Sequence, residues 1–284
     1  MLVEILRFVP RRALTGLIGR AARTRVPRRL RGAVYGAFAR RVGADLSEAD
    51  RPLGDYATFQ DFFARRLRDG IRPIATDAVV SPVDATVVSA GTVERGRLVQ
   101  VKGLTYALAD LLGGADEAAA YLDGRYATFY LHPRDYHRIH APIDGRIIAS
   151  RHVPGGLFPV NPEACAKVPA LFATNERLVT TIEGDVGRVA VVKVAALGVG
   201  TVRAFYDDAA WEGAGTRRYD PAPSIRRGDE LATFLMGSTV VLVAERRVGL
   251  RDFAAGTPVR LGEAMGEARA AETDSAKDVA SAGR

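Results

Sequence analysis

The chain has 284 residues, 48% of them hydrophobic and 26% charged, enough for one sizeable core with a modest appendage. Its single cysteine, Cys165, excludes an internal disulfide framework and a cysteine-based metal cluster, and reads as a small inert residue. The net charge of +7 is unevenly placed: residues 1–41 hold eleven arginines against one acid, Glu4, so the rest of the chain is slightly acidic.

Such a patch suits an anionic lipid surface or nucleic acid. Apolar residues interleave with the arginines. Helical spacing puts Leu2, Ile5, Leu6 and Val9 on one face, with Arg7, Arg11 and Arg12 around it, and Pro10 divides the stretch into two short helices. A basic amphipathic segment of this kind lies on a membrane surface. No run reaches the roughly 18–20 uncharged apolar residues needed to cross one, and Arg7 interrupts the only stretch resembling a signal peptide. An ordinary docking helix with solvated arginines is the plainer alternative. The scarcity of aromatic residues and the lack of a binding motif argue against nucleic acid. Helical texture continues to about residue 75. Phe59, Phe62, Phe63 and Leu67 share a face there, and Asp69-Gly70 and Arg72-Pro73 end the region.

From Val79 the texture changes to short β-branched runs separated by Gly, Pro and Asp. Strands are expected over 87–88, 97–102, 126–131, 145–149, 177–182, 189–195, 201–205, 230–235 and 240–244. Segments 142–147 and 227–231 are similar to pieces of the barrel-sandwich folds of lipoyl and biotinyl carriers. The fold class is therefore α+β. A helical, membrane-associating region over 1–75 precedes a mainly β, sandwich or barrel-sandwich-like catalytic domain over 76–262, and a small polar tail over 263–284 is expected to be disordered.

Three places carry candidate chemistry. Asp84, in Ser-Pro-Val-Asp-Ala-Thr, is either a turn cap or the third member of a Ser-His-Asp relay. Residues 131–142 hold three of the four histidines, His132, His137 and His140. Pro133 suits the start of a helical turn in which His137 and His140 share a face. A plain surface turn whose histidines pair with nearby acids is the alternative reading, and a metal site lacks a third ligand at a telling spacing. His152 stands alone and reads as structural. Gly237-Ser238-Thr239, between two apolar strands, is a turn or bulge, or a point of self-cleavage. In the second case the Ser238 hydroxyl attacks the Gly237 carbonyl, glycine lets the backbone bend, and a base activates the serine.

The order Asp84, His137, His140, Ser238, with its surroundings, resembles the phosphatidylserine decarboxylase family in its longer form, which has a Leu-Gly-Ser-Thr cleavage motif. The likeness includes Tyr-Ala-Thr-Phe-Gln-Asp-Phe-Phe at 56–63, Pro-Arg-Asp-Tyr-His-Arg-Ile-His at 133–140, Phe-Pro-Val-Asn-Pro at 158–162 and Leu-Phe-Ala-Thr-Asn-Glu-Arg at 171–177. Ala85 stands where that family usually has Gly, and Met236 where it has Leu.

The resemblance implies self-cleavage between Gly237 and Ser238. His140 is the base and Asp84 orients it. A β chain of residues 1–237 and an α chain of residues 238–284 then form a heterodimer, with a larger homo-oligomer left open. Ser238 becomes a pyruvoyl group that forms a Schiff base with phosphatidylserine and decarboxylates it to phosphatidylethanolamine. His137 is the expected proton donor, with His140 the alternative, and Phe158 and Asn161 belong to a substrate loop. No metal or nucleotide is expected. The protein is expected to sit peripherally on the anionic cytoplasmic face of the cell membrane. Two other readings are a pyruvoyl decarboxylase of a soluble amino acid and a non-enzymatic, membrane-docking β module.

Overall fold

Two prolines set the helical layer. Helix α1 (Arg11–Arg23) starts directly after Pro10, and α2 (Arg28–Val42) directly after Pro27, where the missing N–H costs nothing. Gly43 ends α2 in the left-handed conformation, φ 77°. Helix α3 (Phe59–Phe63) is held by a capping box in which Thr58 and Asp61 each accept from the other's backbone N–H. The buried Tyr35 of α2 stacks on Phe62 of α3 at 4.9 Å, and Tyr56 packs edge-on to Phe62, giving this layer its own small aromatic core. The computed structural model describes residues 10–198, 202–209, 211, 213–235 and 239–268. The amphipathic stretch 2–9 lies outside the described residues, as do Met236, Gly237 and Ser238 and most of the expected tail.

The rest is sheet with short helices between strands. The strands are β1 (Val79–Val80), β2 (Ala85–Thr92), β3 (Arg97–Val99), β4 (Thr105–Ala107), β5 (Arg125–Tyr130), β6 (Arg138–His140), β7 (Gly145–Val153), β8 (Arg177–Gly184) and β9 (Gly187–Val194). They continue with β10 (Val202–Ala204), β11 (Gly215–Arg218), β12 (Ser224–Ile225), β13 (Glu230–Phe234), β14 (Thr239–Ala244), β15 (Val248–Leu250), β16 (Pro258–Val259) and β17 (Ala264–Ala268). Helices α4 (Leu108–Leu112), α5 (Ala115–Ala119), α6 (Pro162–Lys167) and α7 (Leu171–Thr174) cross between them.

A nine-stranded antiparallel sheet runs β11-β7-β8-β9-β14-β5-β2-β16, with β12 also on β7. It stays open at both edges, so no closed barrel forms among the described residues. A three-stranded sheet, β10-β13-β6, shares one hydrophobic cluster with it, through Ile139, Leu231, Ala232 and Phe234. The Val-rich runs become the middle strands because both of their faces are covered. All six residues of β14 are buried, between β5 and β9.

All nine expected strand regions are present. Two expectations need correction. Segment 133–142 is not a helical turn: Asp135 takes the His132 N–H on its side chain and gives its own N–H to the His132 carbonyl, closing a tight turn. The free edge of β13 then draws Arg138–His140 into a strand. Second, ordered sheet extends past residue 262, because β17 pairs with β1 and β15.

Candidate active site

Strand β6 is short and polar at both ends, and its neighbours hold it in place. One edge pairs with β13, with an irregular register between Glu230 and Ala232. On its other edge the His140 N–H donates to the Pro82 carbonyl at 2.9 Å, which lays the Ser81–Asp84 turn against the histidine. Arg138 Nη1 meets Glu230 at 2.7 Å and its Nε donates to the Ala64 carbonyl, tying β6 to the end of α3. The two distant motifs are thus brought together by backbone pairing.

Their side chains do not form the expected relay. Asp84 is buried, but it accepts from Arg72 Nη2 at 2.6 Å, Arg72 Nε at 3.0 Å and the Leu261 N–H at 2.8 Å. Arg72 also donates to both oxygens of Glu48, at 3.0 and 2.7 Å. Burial opposes the Arg72 charge, yet the bonds to Asp84 and Glu48 outweigh it and hold the guanidinium well above its ordinary value. A permanent cation outcompetes a neutral imidazole for a carboxylate, which is why Asp84 turns to Arg72. Its influence on His140 is through space, where it favours the charged ring.

His140 is held by other partners. Nδ1 lies 2.7 Å from the Gly228 carbonyl, and Nε2 lies 3.1 Å from the Tyr136 hydroxyl. A carbonyl can only accept, so the proton sits on Nδ1 and Nε2 carries the lone pair that Tyr136 donates to. Burial pushes His140 below its usual value.

His137 has the same tautomer in a drier setting. It is 0% exposed, and Nδ1 donates to the Asp135 carbonyl at 2.8 Å. Phe63 lies across its ring at 4.1 Å, and Nε2 is buried without a hydrogen-bond partner among the described residues. Burial, with a smaller contribution from the nearby Arg65 cation, lowers its pKa to about 3. Buried polar atoms are seldom left unpartnered, which makes this nitrogen a candidate site atom.

Gly237 and Ser238 lie outside the described residues, but both flanks are placed. Before them, the Phe234 N–H at the end of β13 donates to the His137 carbonyl at 3.0 Å. After them, Thr239 opens β14 between Tyr130 and Val194. The described flanks thus lie beside His137, at Phe234, and beside Tyr130, at Thr239. The Tyr130 ring meets His132 edge-on at 4.5 Å, and His132 Nε2 lies 3.3 Å from the Thr86 hydroxyl.

Of the expected substrate loop, Phe158 is half-buried with the Arg11 guanidinium 3.7 Å above its ring. The Asn161 side chain is spent on capping α6, accepting from the Ala164 N–H at 2.9 Å. Sequence reasoning missed the residue that fixes this loop. Asn175, fully buried, accepts from the Phe158 N–H and donates to the Phe158 and Ala195 carbonyls, at 3.0, 2.9 and 2.9 Å. The Asn-Glu-Arg triplet was the signal for it. Tyr136, Arg72 and Glu48 were missed as well; Tyr136 stood inside the histidine motif. His152 is held by the Gly213 carbonyl and Glu176, as befits a structural residue. Among the described residues no group of three or more His, Cys, Asp or Glu is placed to hold a metal ion.

Residues 59–267 match the family model described as phosphatidylserine decarboxylase. A phosphatidylserine decarboxylase proenzyme of Anaeromyxobacter sp. (strain K) is 48% identical over 94% of this chain and 98% of its own length. Proteins of the same name from Acidovorax ebreus and Myxococcus xanthus are 46% and 39% identical, over 91% and 93% of this chain and 94% and 97% of their own lengths.

Proposed function

Since the chain belongs to the phosphatidylserine decarboxylase family, we propose that it is a proenzyme that cuts itself between Gly237 and Ser238 and then decarboxylates phosphatidylserine to phosphatidylethanolamine and carbon dioxide. The observation that carries the reading is the pair of neutral histidines, His140 on β6 and His137 directly before it. Both have their Nδ1 protons tied to backbone carbonyls, and both lie beside the strand that leads into residues 236–238.

In the first stage His140 is the base. Its Nε2 lone pair, relayed by or freed from Tyr136, takes the Ser238 hydroxyl proton, and Asp84 stabilises the resulting imidazolium through space. Ser238 Oγ adds to the Gly237 carbonyl carbon and the C–N bond breaks, leaving an ester. Loss of the Ser238 Cα proton then breaks the ester C–O bond, which frees the Gly237 carboxylate and leaves dehydroalanine. Water replaces its nitrogen, released as ammonia, to give the pyruvoyl ketone.

The residues present suit that group: His137 Nε2 is a buried lone pair without a partner among the described residues, on a residue whose carbonyl takes the Phe234 N–H. The pyruvoyl group supplies the carbonyl that takes up the substrate amine and the electrons left by carbon dioxide. In the second stage His137 Nε2 takes the proton that the substrate ammonium must lose to become an amine, and returns it to the carbon that loses carbon dioxide, in a site that Phe63 keeps dry. Asn175 fixes the Phe158 loop against which the headgroup rests.

The lipid is met at the membrane surface. Leu17 on α1, with Leu30 and Val34 on α2, is exposed among the arginines of those helices, and no described helix is long and apolar enough to cross a membrane. Each buried lipid CH₂ is worth about 0.8 kcal/mol, so an enzyme that docks and draws up the headgroup avoids extracting the chains. Arginines favour the anionic cytoplasmic leaflet.

Intact mass of the wild type beside Ser238→Ala tests the reading. Two wild-type fragments meeting at 237 and 238, the smaller opening with a pyruvoyl group, and an uncut variant are expected. A wild type that stays whole in the presence of phosphatidylserine vesicles overturns it.

A further inference from the structure

One cavity lined by described residues takes no part in the chemistry above. It is a groove of about 1110 Å³ between the β2–β5 strands, the β3–β4 hairpin and helix α6, at the upper end of the range of ligand sites. Val88, Leu98, Val101, Val160 and Phe253 contribute apolar surface, together with the rings of Tyr126 and Tyr130. Cys165 adds no charge, because burial pushes its thiol up to about 12.

The groove is held open by design of the chain. Gln100, fully buried on the loop after β3, donates to the Cys165 and Val168 carbonyls at 2.6 and 2.9 Å and accepts from the Leu171 N–H at 2.9 Å. One side chain thus fixes the spacing between the hairpin and helices α6 and α7.

The rim carries three cations, Arg95, Arg97 and Lys102, against one acid, Glu94. Two tight turns flank β3, closed by Arg97 N–H to Glu94 carbonyl at 2.9 Å and Leu104 N–H to Val101 carbonyl at 3.0 Å. Their central pairs are Arg95-Gly96 and Lys102-Gly103, with φ of 49° and 70°, and 51° and 78°. Positive φ at both central residues favours Asn, Asp or Gly in the first place, and a long side chain there is strained. Each turn nevertheless carries a cation at that place. Arg97 adds a third, and none of the three is ion-paired with a described residue. Val99, between the turns, is 44% exposed.

At its other end the groove reaches Tyr130. Tyr130 lines it and pairs with Thr239, the residue after Ser238. Tyr126 and Tyr130, four residues apart on β5, span about 13 Å of it. Val160, on the same wall, follows the loop on which Arg11 covers Phe158, so the groove and the basic helix α1 flank one element.

We infer that this groove takes an acyl chain of the glycerophospholipid substrate, running from a headgroup at the Tyr130–Thr239 end to a rim where Arg95, Arg97 and Lys102 meet the anionic surface the lipid comes from. Inside that charged rim the walls are mostly apolar and otherwise neutral, which suits a hydrocarbon chain. The inference rests on the decarboxylase reading and specifies where the hydrophobic part of its substrate lies.

The test compares Ala166→Trp, which fills the groove from α6, with wild type on dioleoyl-phosphatidylserine vesicles and on monomeric dihexanoyl-phosphatidylserine. The variant should still cut itself, lose more than about tenfold in kcat/KM on the long-chain lipid, and stay within about twofold on the short one. Equal loss on both lipids, or loss on neither, overturns the groove while leaving the decarboxylase reading intact. A wild type inactive on both overturns the parent reading instead. Should Ala166→Trp fail to fold, wild type and a phosphatidylserine with a mid-chain diazirine decide the matter. Cross-links within 88–105 or 160–166 are expected, and cross-links found only elsewhere refute the assignment.

Discussion

His140 and His137 stand three residues apart and share a tautomer, yet their surroundings are opposites. Around His140 lies a saturated polar network: Gly228, Tyr136, and beyond them Arg72 bridging Asp84 to Glu48. Around His137 lie Phe63, a backbone carbonyl and a bare nitrogen. The first setting can stabilise a ring that becomes charged, because a carboxylate and a hydroxyl are at hand. The second resists charge and keeps a lone pair available in a dry space. A base that must cycle through imidazolium belongs in the first, and a group that manages one proton at a carbon in the second.

The sharpest way to break this contrast is to delete each ring. His140→Ala should leave the precursor uncut, slowing self-cleavage by about 10²–10⁴-fold, whereas His137→Ala should cut normally and lose about 10²–10⁴ in turnover. Intact mass and carbon dioxide release separate the two, and loss of the same step in both variants would erase the distinction. Next in size is the network behind His140. Arg72→Met leaves two largely buried carboxylates without their cation and should cost about 3–5 kcal/mol in urea unfolding.

The dry setting of His137 has its own signature in pH. Both rings are neutral in the fold, with pKa values depressed below the unfolded value of about 6.5. The unfolded chain therefore binds more protons below that pH. Stability is level above about 6.5 and falls as pH drops toward the folded values, for His137 toward about 3. Between pH 6.5 and 5 that ring alone should remove about 2 kcal/mol, and His137→Leu should flatten the slope. Smallest is the cap that seats Phe63 over His137: Thr58→Ala should cost about 1 kcal/mol, and thermal melts resolve it.

Much of this was legible in the chain. The nine strand regions announced themselves through β-branched runs, because strands covered on both faces are apolar along their whole length. The histidines proposed to react stood out in one dense motif. Strand β6 was not legible, since Arg138 and His140 look polar and local; β13 makes them a strand, and it lies about ninety residues downstream. The Asp84 partner was hidden likewise. Arg72-Pro73 reads as a helix stop, and nothing in the sequence joins it to Glu48 and Asp84. Asn161 looked like a ligand because it sits in a conspicuous loop, but its position before Pro162 makes it a helix cap, while the quieter Asn175 holds the loop in place.

The placement of β14 has a last consequence. A break after Gly237 would put β14, β15, β16 and β17 on the shorter polypeptide, and β14 lies between β5 and β9 in the middle of the sheet. β16 pairs with β2 and β17 with β1, so the short piece is threaded into the long one at three separate strands. The two polypeptides are interlocked by their ladders. They cannot part, or trade partners between molecules, without unfolding the whole sheet, so the proenzyme can give up its covalent continuity at one bond and remain one folding unit.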